Sequence, residues 1–181
     1  VPASANFDNF KAIDFLRKVC EERGINMIAD TIKGSQLNNN TGYIEELIGE
    51  KISYTSSFYF DATGFSSLLL GGSLGVKKIS FEKDFLVNRY TAFPTPLSHP
   101  PDPAVYVETI GKDDCWIWKI ETAGRGGNGV LYSSDFMTDE NLERHVKNEG
   151  GDMNNLLAYA AKFQPCYRKE ILHKNVLGLG L

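Results

Sequence analysis

The sequence predicts an α/β fold in which one helix leads into an antiparallel β-meander and then into a second, mixed sheet. Two observations carry this. Asp8 precedes Phe10, Ile13, Leu16, Val19 and Cys20 at helical spacing, and Gly24 follows them. After that glycine the texture changes to short β-branched and aromatic runs separated by turn clusters, the pattern of strands joined by tight connections.

Asp8 is a good N-cap because its carboxylate can accept the free N–H groups of the first turn, and Gly24 is a good stop. Ala12 and Phe15 widen the apolar face, so more than half of this helix is expected to be covered. Residues 25–37 read as the first strand and end in Asn38-Asn39-Asn40-Thr41-Gly42, a turn signal. Residues 43–48 give the second strand. After Gly49-Glu50-Lys51, residues 52–60 give the third, which stops at Asp61.

The middle of the chain reads differently. Residues 65–74 fit either a loop or a short buried helix, since so short an apolar run has no decisive period. Residues 85–93 read as a strand. Five of the seven prolines fall within 94–103, which is expected to be an irregular surface loop. Residues 105–110 and 115–120 are strands around the turn Gly111-Lys112-Asp113-Asp114, and residues 130–136 return as another. Thr138 caps a helix through about Asn148, residues 154–163 read as helical, and residues 175–181 begin a buried strand. There is no internal repeat and no obvious linker.

Composition sets limits on function. The chain has 181 residues, enough for one domain with a sizeable core; 42% are hydrophobic and 23% charged, which argues against disorder. The net charge of -4 carries no long run of one sign, so nothing suggests nucleic-acid binding beyond a local pair such as Lys77-Lys78. The longest apolar stretch, residues 65–75, is interrupted by three serines and is far short of a membrane span. Cys20, Cys115 and Cys166 are odd in number and outside any CxxC, which favours a reduced, cytoplasmic chain. No signal peptide opens the sequence, and Val1 has no initiator Met before it, so the true N-terminus is expected to lie further upstream.

Three places have the residue types for chemistry. Phe60-Asp61-Ala62-Thr63-Gly64-Phe65 is a strand ending in an acid, followed by a glycine that permits a tight turn, as where folds approach a phosphate or ribose. On the residues alone a structural turn is the favoured reading. Trp116 and Trp118 stand two apart on a strand, which puts both indoles on one face; on the residues alone, packing of a sheet core or a partner surface is the favoured reading. Ala123-Gly124-Arg125-Gly126-Gly127-Asn128-Gly129 has the composition of a phosphate loop but not its order, and reads as a hairpin loop. His99, His145 and His173 have no i,i+4 partner, so no metal site is indicated. No GxSxG or Cys/His pattern points to a nucleophile. Glu45-Glu46 and Asp113-Asp114 fall in turns or on strand edges, where solvation is the expected role.

Several of these segments occur in the order seen in flavin-dependent tryptophan halogenases. They include Phe7-Asp8 opening a helix, Cys20-Glu21-Glu22-Arg23-Gly24, Ile28-Ala29-Asp30-Thr31-Ile32, Leu37-Asn38-Asn39 with Gly42-Tyr43-Ile44, and the Phe60–Phe65 turn. Further on, Trp116-Ile117-Trp118-Lys119-Ile120 resembles that family's WxWxIP motif, and Gly124-Arg125-Gly126-Gly127-Asn128-Gly129 with Tyr132-Ser133-Ser134 resembles the stretch after it. Residues 175–181 resemble the strand leading to the family's second flavin segment. Two departures stand out: Glu121 takes the place of the motif's proline, and Cys166-Tyr167-Arg168 lies where a Gly-Arg pair is usual.

The resemblance implies an FAD-monooxygenase-like (GR2-type) flavoprotein fold, with residues 1–181 a single internal segment of it. The GxGxxG turn and the catalytic Lys would precede this segment and the catalytic Glu would follow it, so no catalytic residue is assigned, and these residues alone are expected to bind FAD weakly. In this family reduced FAD (FADH2), oxygen and a halide such as chloride give hypohalous acid, which halogenates an electron-rich aromatic such as an indole. A separate flavin reductase would supply the FADH2, and a homodimer is compatible with this scheme. The backbone of Ile32 would touch the adenosine part of FAD, Asp61 and Gly64 would lie on a turn near the cofactor, and Trp116 and Trp118 would line the space beside the flavin. An FAD-dependent aromatic monooxygenase and a non-catalytic β-rich binding module are the alternatives.

Overall fold

The computed structural model describes residues 6–98 and 103–180, so His99 and part of the proline-rich stretch lie outside the described residues. In chain order the elements are α1 (Asn9–Glu22), β1 (Ile32–Leu37), β2 (Ile44–Gly49), β3 (Ser53–Thr55), β4 (Tyr59–Asp61) and β5 (Lys78–Ser80). They continue with β6 (Arg89–Thr95), β7 (Val107–Gly111), β8 (Cys115–Thr122), β9 (Arg125–Tyr132) and α2 (Asp139–Asn148). The last four are β10 (Ala158–Lys162), β11 (Cys166–Arg168), β12 (Leu172–His173) and β13 (Val176–Gly178). No helix among the described residues is long and apolar enough to cross a membrane.

The chain divides into two compact units. Met27–Phe81 and Cys166–Leu181 make one, and Val1–Asn26 with Glu82–Pro165 make the other.

In the first of these, β1, β2 and β3 form the expected antiparallel meander, with Gln36 opposite Glu46 and Leu47 opposite Tyr54. Asn38 makes the first turn: its side-chain oxygen accepts the N–H groups of Asn40 and Thr41, both at 2.9 Å. Asp30 closes the second by accepting from the amides of Thr31, Glu50 and Lys51 and from the Tyr54 hydroxyl. Two expected strands are shorter or broken. The first begins only at Ile32. The third splits into β3 and β4, because β4 leaves the meander and pairs in parallel with β13, Phe60 opposite Leu177. The buried side chain of Asn175 ties the pieces together. Its amide accepts from Ile44 N at 3.0 Å and donates to Ile44 O at 2.9 Å. Ile44, Tyr59, Leu69, Leu70, Val76 and Val176 fill the core around it.

In the second unit, five strands in the order β10-β6-β9-β8-β7 form one sheet that is antiparallel throughout. The expected mixed pairing is therefore not in the sheet that carries the tryptophans; it occurs where β4, β13 and β12 meet. α2 starts at Thr138, whose hydroxyl accepts from Asn141 N at 3.2 Å, and lays Leu142 and Val146 on Phe93, Ile117, Val130 and Tyr132. That is the core.

Several expectations fail here for identifiable reasons. Residues 154–163 are not helical: Ala158–Lys162 pairs with β6, Ala158 opposite Ala92 and Lys162 opposite Arg89. Ala160 bulges at φ +45° and donates to Thr91 Oγ1, so edge pairing overrides the helix propensity of its alanines and leucines. The glycine-rich stretch is not a hairpin loop either. Only Ala123 and Gly124 turn, and Arg125–Tyr132 is the central strand β9, which ends before the expected limit of 136. β6 begins at Arg89 rather than 85 and runs through Pro94 to Thr95. β10 reaches only Ala92, so among the described residues no partner strand lies at Pro94 on the edge away from β9 and no donor is needed there. Finally, α1 forms where expected but is not covered: Phe10 is 75% exposed and none of its residues is buried. An apolar face predicts burial only where another element lies against it.

Candidate functional site

The Asp61 turn is built by its carboxylate. β4 ends there, and Asp61, only 5% exposed, accepts from Thr63 N at 3.2 Å and from the Thr63 hydroxyl. Its other oxygen accepts from Leu69 N at 3.0 Å and Leu70 N at 2.9 Å, capping the π-helical turn Leu68–Ser73. That settles residues 65–74 as short helical turns, 3-10 at Gly64–Ser66 and then π. Burial raises the Asp61 pKa, but the Thr63 hydroxyl and the Leu70, Thr63 and Leu69 amides outweigh it and hold the carboxyl below its usual range. Both oxygens are thus spent on the protein's own backbone, so the carboxylate shapes the turn and the backbone is what the turn presents. Gly64 sits at φ +64°, a conformation that disfavours side chains.

Ile32 lies in the same unit, on β1, the edge strand of the meander. Among the described residues, one side of that strand has no partner strand. Ser35 Oγ, three residues on, bonds Ser73 Oγ at 2.7 Å and ties β1 to the π-helical turn that Asp61 caps.

The tryptophans belong to the other unit. Trp116 and Trp118 share one face of β8 with ring centroids 5.9 Å apart, as their spacing requires. Ile117, between them, is fully buried on the opposite face with α2. The indoles are therefore outside that core, and Trp116 is 37% exposed. Trp118 lies over Gly129, its cross-strand neighbour, where a Cβ would fall inside the indole ring. Tyr90 stands beside it with centroids 6.4 Å apart. On the same face an open cavity of about 420 Å³ is lined by Trp118, Ile120, Ala92, Gly127, Arg125 and the residues at the start of α1.

Glu121 is buried and accepts from Ser98 N at 2.6 Å and Ala104 N at 2.7 Å, holding the proline-rich stretch at its middle and just past its end. Sequence reasoning noted it only as a departure from a motif.

It also missed a cluster. His145 on α2 meets Asp114 in the β7–β8 turn, Nε2 to Oδ1 at 2.8 Å, beside Cys115. The residues are 31 apart, so no local spacing announces the contact. Asp114 is consequently half-buried rather than solvated. Burial, then the Asp114 charge and hydrogen bond, push the Cys115 thiol up to about 12, which makes it no nucleophile at neutral pH.

Comparison with known proteins gives one family. The tryptophan halogenase family profile matches residues 2–181. The chain is 27% identical to the tryptophan 6-halogenase SttH of Streptomyces toxytricini over 152 residues, which is 81% of this chain and 28% of that protein. It is 28% identical to the tryptophan 7-halogenase RebH of Lentzea aerocolonigenes, across 77% of this chain and 27% of that one. Among solved structures, the flavin-dependent halogenase Xcc4156 from Xanthomonas campestris superposes with a TM-score of 0.83 at 25% identity, covering 92% of this chain and 34% of its own. The chain thus spans about 28% of the length of the first of these relatives. With the Asp61 turn and the Trp116/Trp118 pair placed on a fold shared with those enzymes, the chain belongs to the tryptophan halogenase family.

Proposed function

We propose that this chain is part of a flavin-dependent halogenase of GR2-type flavoprotein fold, acting with FADH2, oxygen and halide on an electron-rich aromatic such as an indole. The observation that carries this is the Trp116/Trp118 pair on an open sheet face, outside the core, in a segment that resembles the family's WxWxIP motif. Were the pair core filling, it would share the face of Ile117, and it does not.

The residues fit a flavin on their own terms. Ile32 offers backbone from an edge strand, suited to the adenosine part of FAD. Asp61 acts as a positioning residue that fixes the turn, and Gly64 lets the backbone come close to the cofactor. Bound reduced flavin supplies the oxygen activation that oxidises halide. Trp116 and Trp118 would fill the volume beside it, so an aromatic substrate cannot meet the activated oxygen directly. Ile120, Ala92 and Trp118 offer apolar surface in the adjoining cavity. By the same reading the reduced cofactor comes from a separate flavin reductase, and the protein works in the cytoplasm as a monomer or homodimer.

Purifying the complete protein tests this. Bound FAD with product formation that requires halide supports the proposal. A protein that takes up no FAD would instead be a β-rich binding module, and halide-independent hydroxylation would make it a monooxygenase.

A further inference from the structure

We propose that Asp114, Cys115 and His145 form a binding site for a thiophilic divalent ion of the Zn²⁺ class, which pins the β7–β8 turn to α2. A thiol, an imidazole and a carboxylate converge there, with donor atoms all within 4.8 Å of one another. Tetrahedral zinc sites place such donors about 2.0–2.3 Å from the metal, and hence about 3.3–3.8 Å from each other. The donors lie close to that scale, with the His145–Asp114 pair inside it.

Each donor is held by a rigid element. Asp114 and Cys115 are fixed by the hairpin, in which Lys112 N donates to Cys115 O at 2.9 Å and Cys115 pairs with Tyr132. His145 is buried on α2 between Leu142 and Val146, both packed in the core. The short contact between His145 Nε2 and Asp114 Oδ1 is the metal-free arrangement. Binding displaces the thiol proton to solvent, moves the imidazole N–H to Nδ1 so that Nε2 faces the ion, and opens the pair by about 0.5 Å to the metal-bound spacing. Water or the second Asp114 oxygen completes four-coordination. A thiol and an imidazole together select zinc-class ions over Mg²⁺ or Ca²⁺, which prefer all-oxygen sites. The cluster lies on the α2 face of the sheet, with Ile117, and the indoles project from the other. The ion's role is therefore structural, independent of the flavin reading.

Titration of the reduced, complete protein with Zn²⁺ and with Co²⁺ as a spectroscopic stand-in tests the site. The expected result is one equivalent bound, with a Co²⁺–thiolate charge-transfer band that survives in a Cys20→Ser/Cys166→Ser variant. Cys115→Ser should lose the band, and His145→Gln should weaken binding about tenfold or more. If Cys115→Ser does not fold, the Cys20→Ser/Cys166→Ser variant decides together with His145→Gln, since Cys115 is then the sole thiol among these 181 residues and a thiol elsewhere in the complete protein would not respond to His145. Absence of the band there, or Zn²⁺ binding unchanged in His145→Gln, would overturn the site and leave the trio as a hydrogen-bonded clamp.

Discussion

Trp118 lies across Gly129, so closely that a methyl group on Gly129 would overlap the six-membered ring of the indole. The glycine has ordinary strand conformation, so its role is to admit the ring rather than to turn the chain. Gly129→Ala should therefore displace the indole without changing the fold. The expected signs are a shifted tryptophan emission and a loss of about 1–3 kcal/mol in denaturant unfolding. Unchanged emission and stability would mean the ring does not rest there.

The Asp61 turn should show itself through the cofactor. Gly64→Val forces a β-branched residue into the left-handed region, at a cost of about 1–2 kcal/mol, and should lower FAD per chain in the complete protein. Ile32→Val keeps the backbone that Ile32 is proposed to present and should be nearly silent. Flavin absorbance per chain measures both. Full occupancy in the Gly64 variant would remove this turn from the site.

The same turn should make its unit acid-sensitive. The Asp61 carboxyl titrates below its unfolded value, so its stabilising contribution is complete above about pH 4 and is lost as pH falls through the lower, folded pKa. Asp61→Asn should be less stable at neutral pH, because an amide cannot accept from Thr63, Leu69 and Leu70 together as the carboxylate does. The gap to wild type should narrow on acidification. Parallel pH–stability curves would show that the charge contributes nothing.

How far the sequence disclosed this molecule depends on whether the cause was local. Asp8 and Thr138 cap their helices, and Asn38 turns its hairpin, because a side chain meets backbone within a few residues. The shared face of Trp116 and Trp118 is equally local. By contrast, Ala158–Lys162 is a strand only because β6 offers it an edge, and Gly126 and Gly129 stand in β9 where Thr95 and Trp118 leave no room for a Cβ. Those causes come from distant residues. The roles of Asn175, Glu121 and the Asp114–His145 pair follow the same rule: each acts on partners between 17 and 131 residues away. The Phe60–Phe65 turn was visible, but not that Asp61 would spend both oxygens inside it.

The most direct test of the account is the product made when bromide replaces chloride. The complete protein, its Trp116→Phe variant and its Trp118→Phe variant would each receive FAD, a flavin reductase, oxygen and an indole substrate. Phe keeps most of the bulk, so flavin should stay bound and halogenation should remain measurable in all three. The product mass should change from the chlorine to the bromine isotope pattern with the halide supplied. An oxygenated product of the same mass in either halide, from a protein with its flavin bound, would contradict the account.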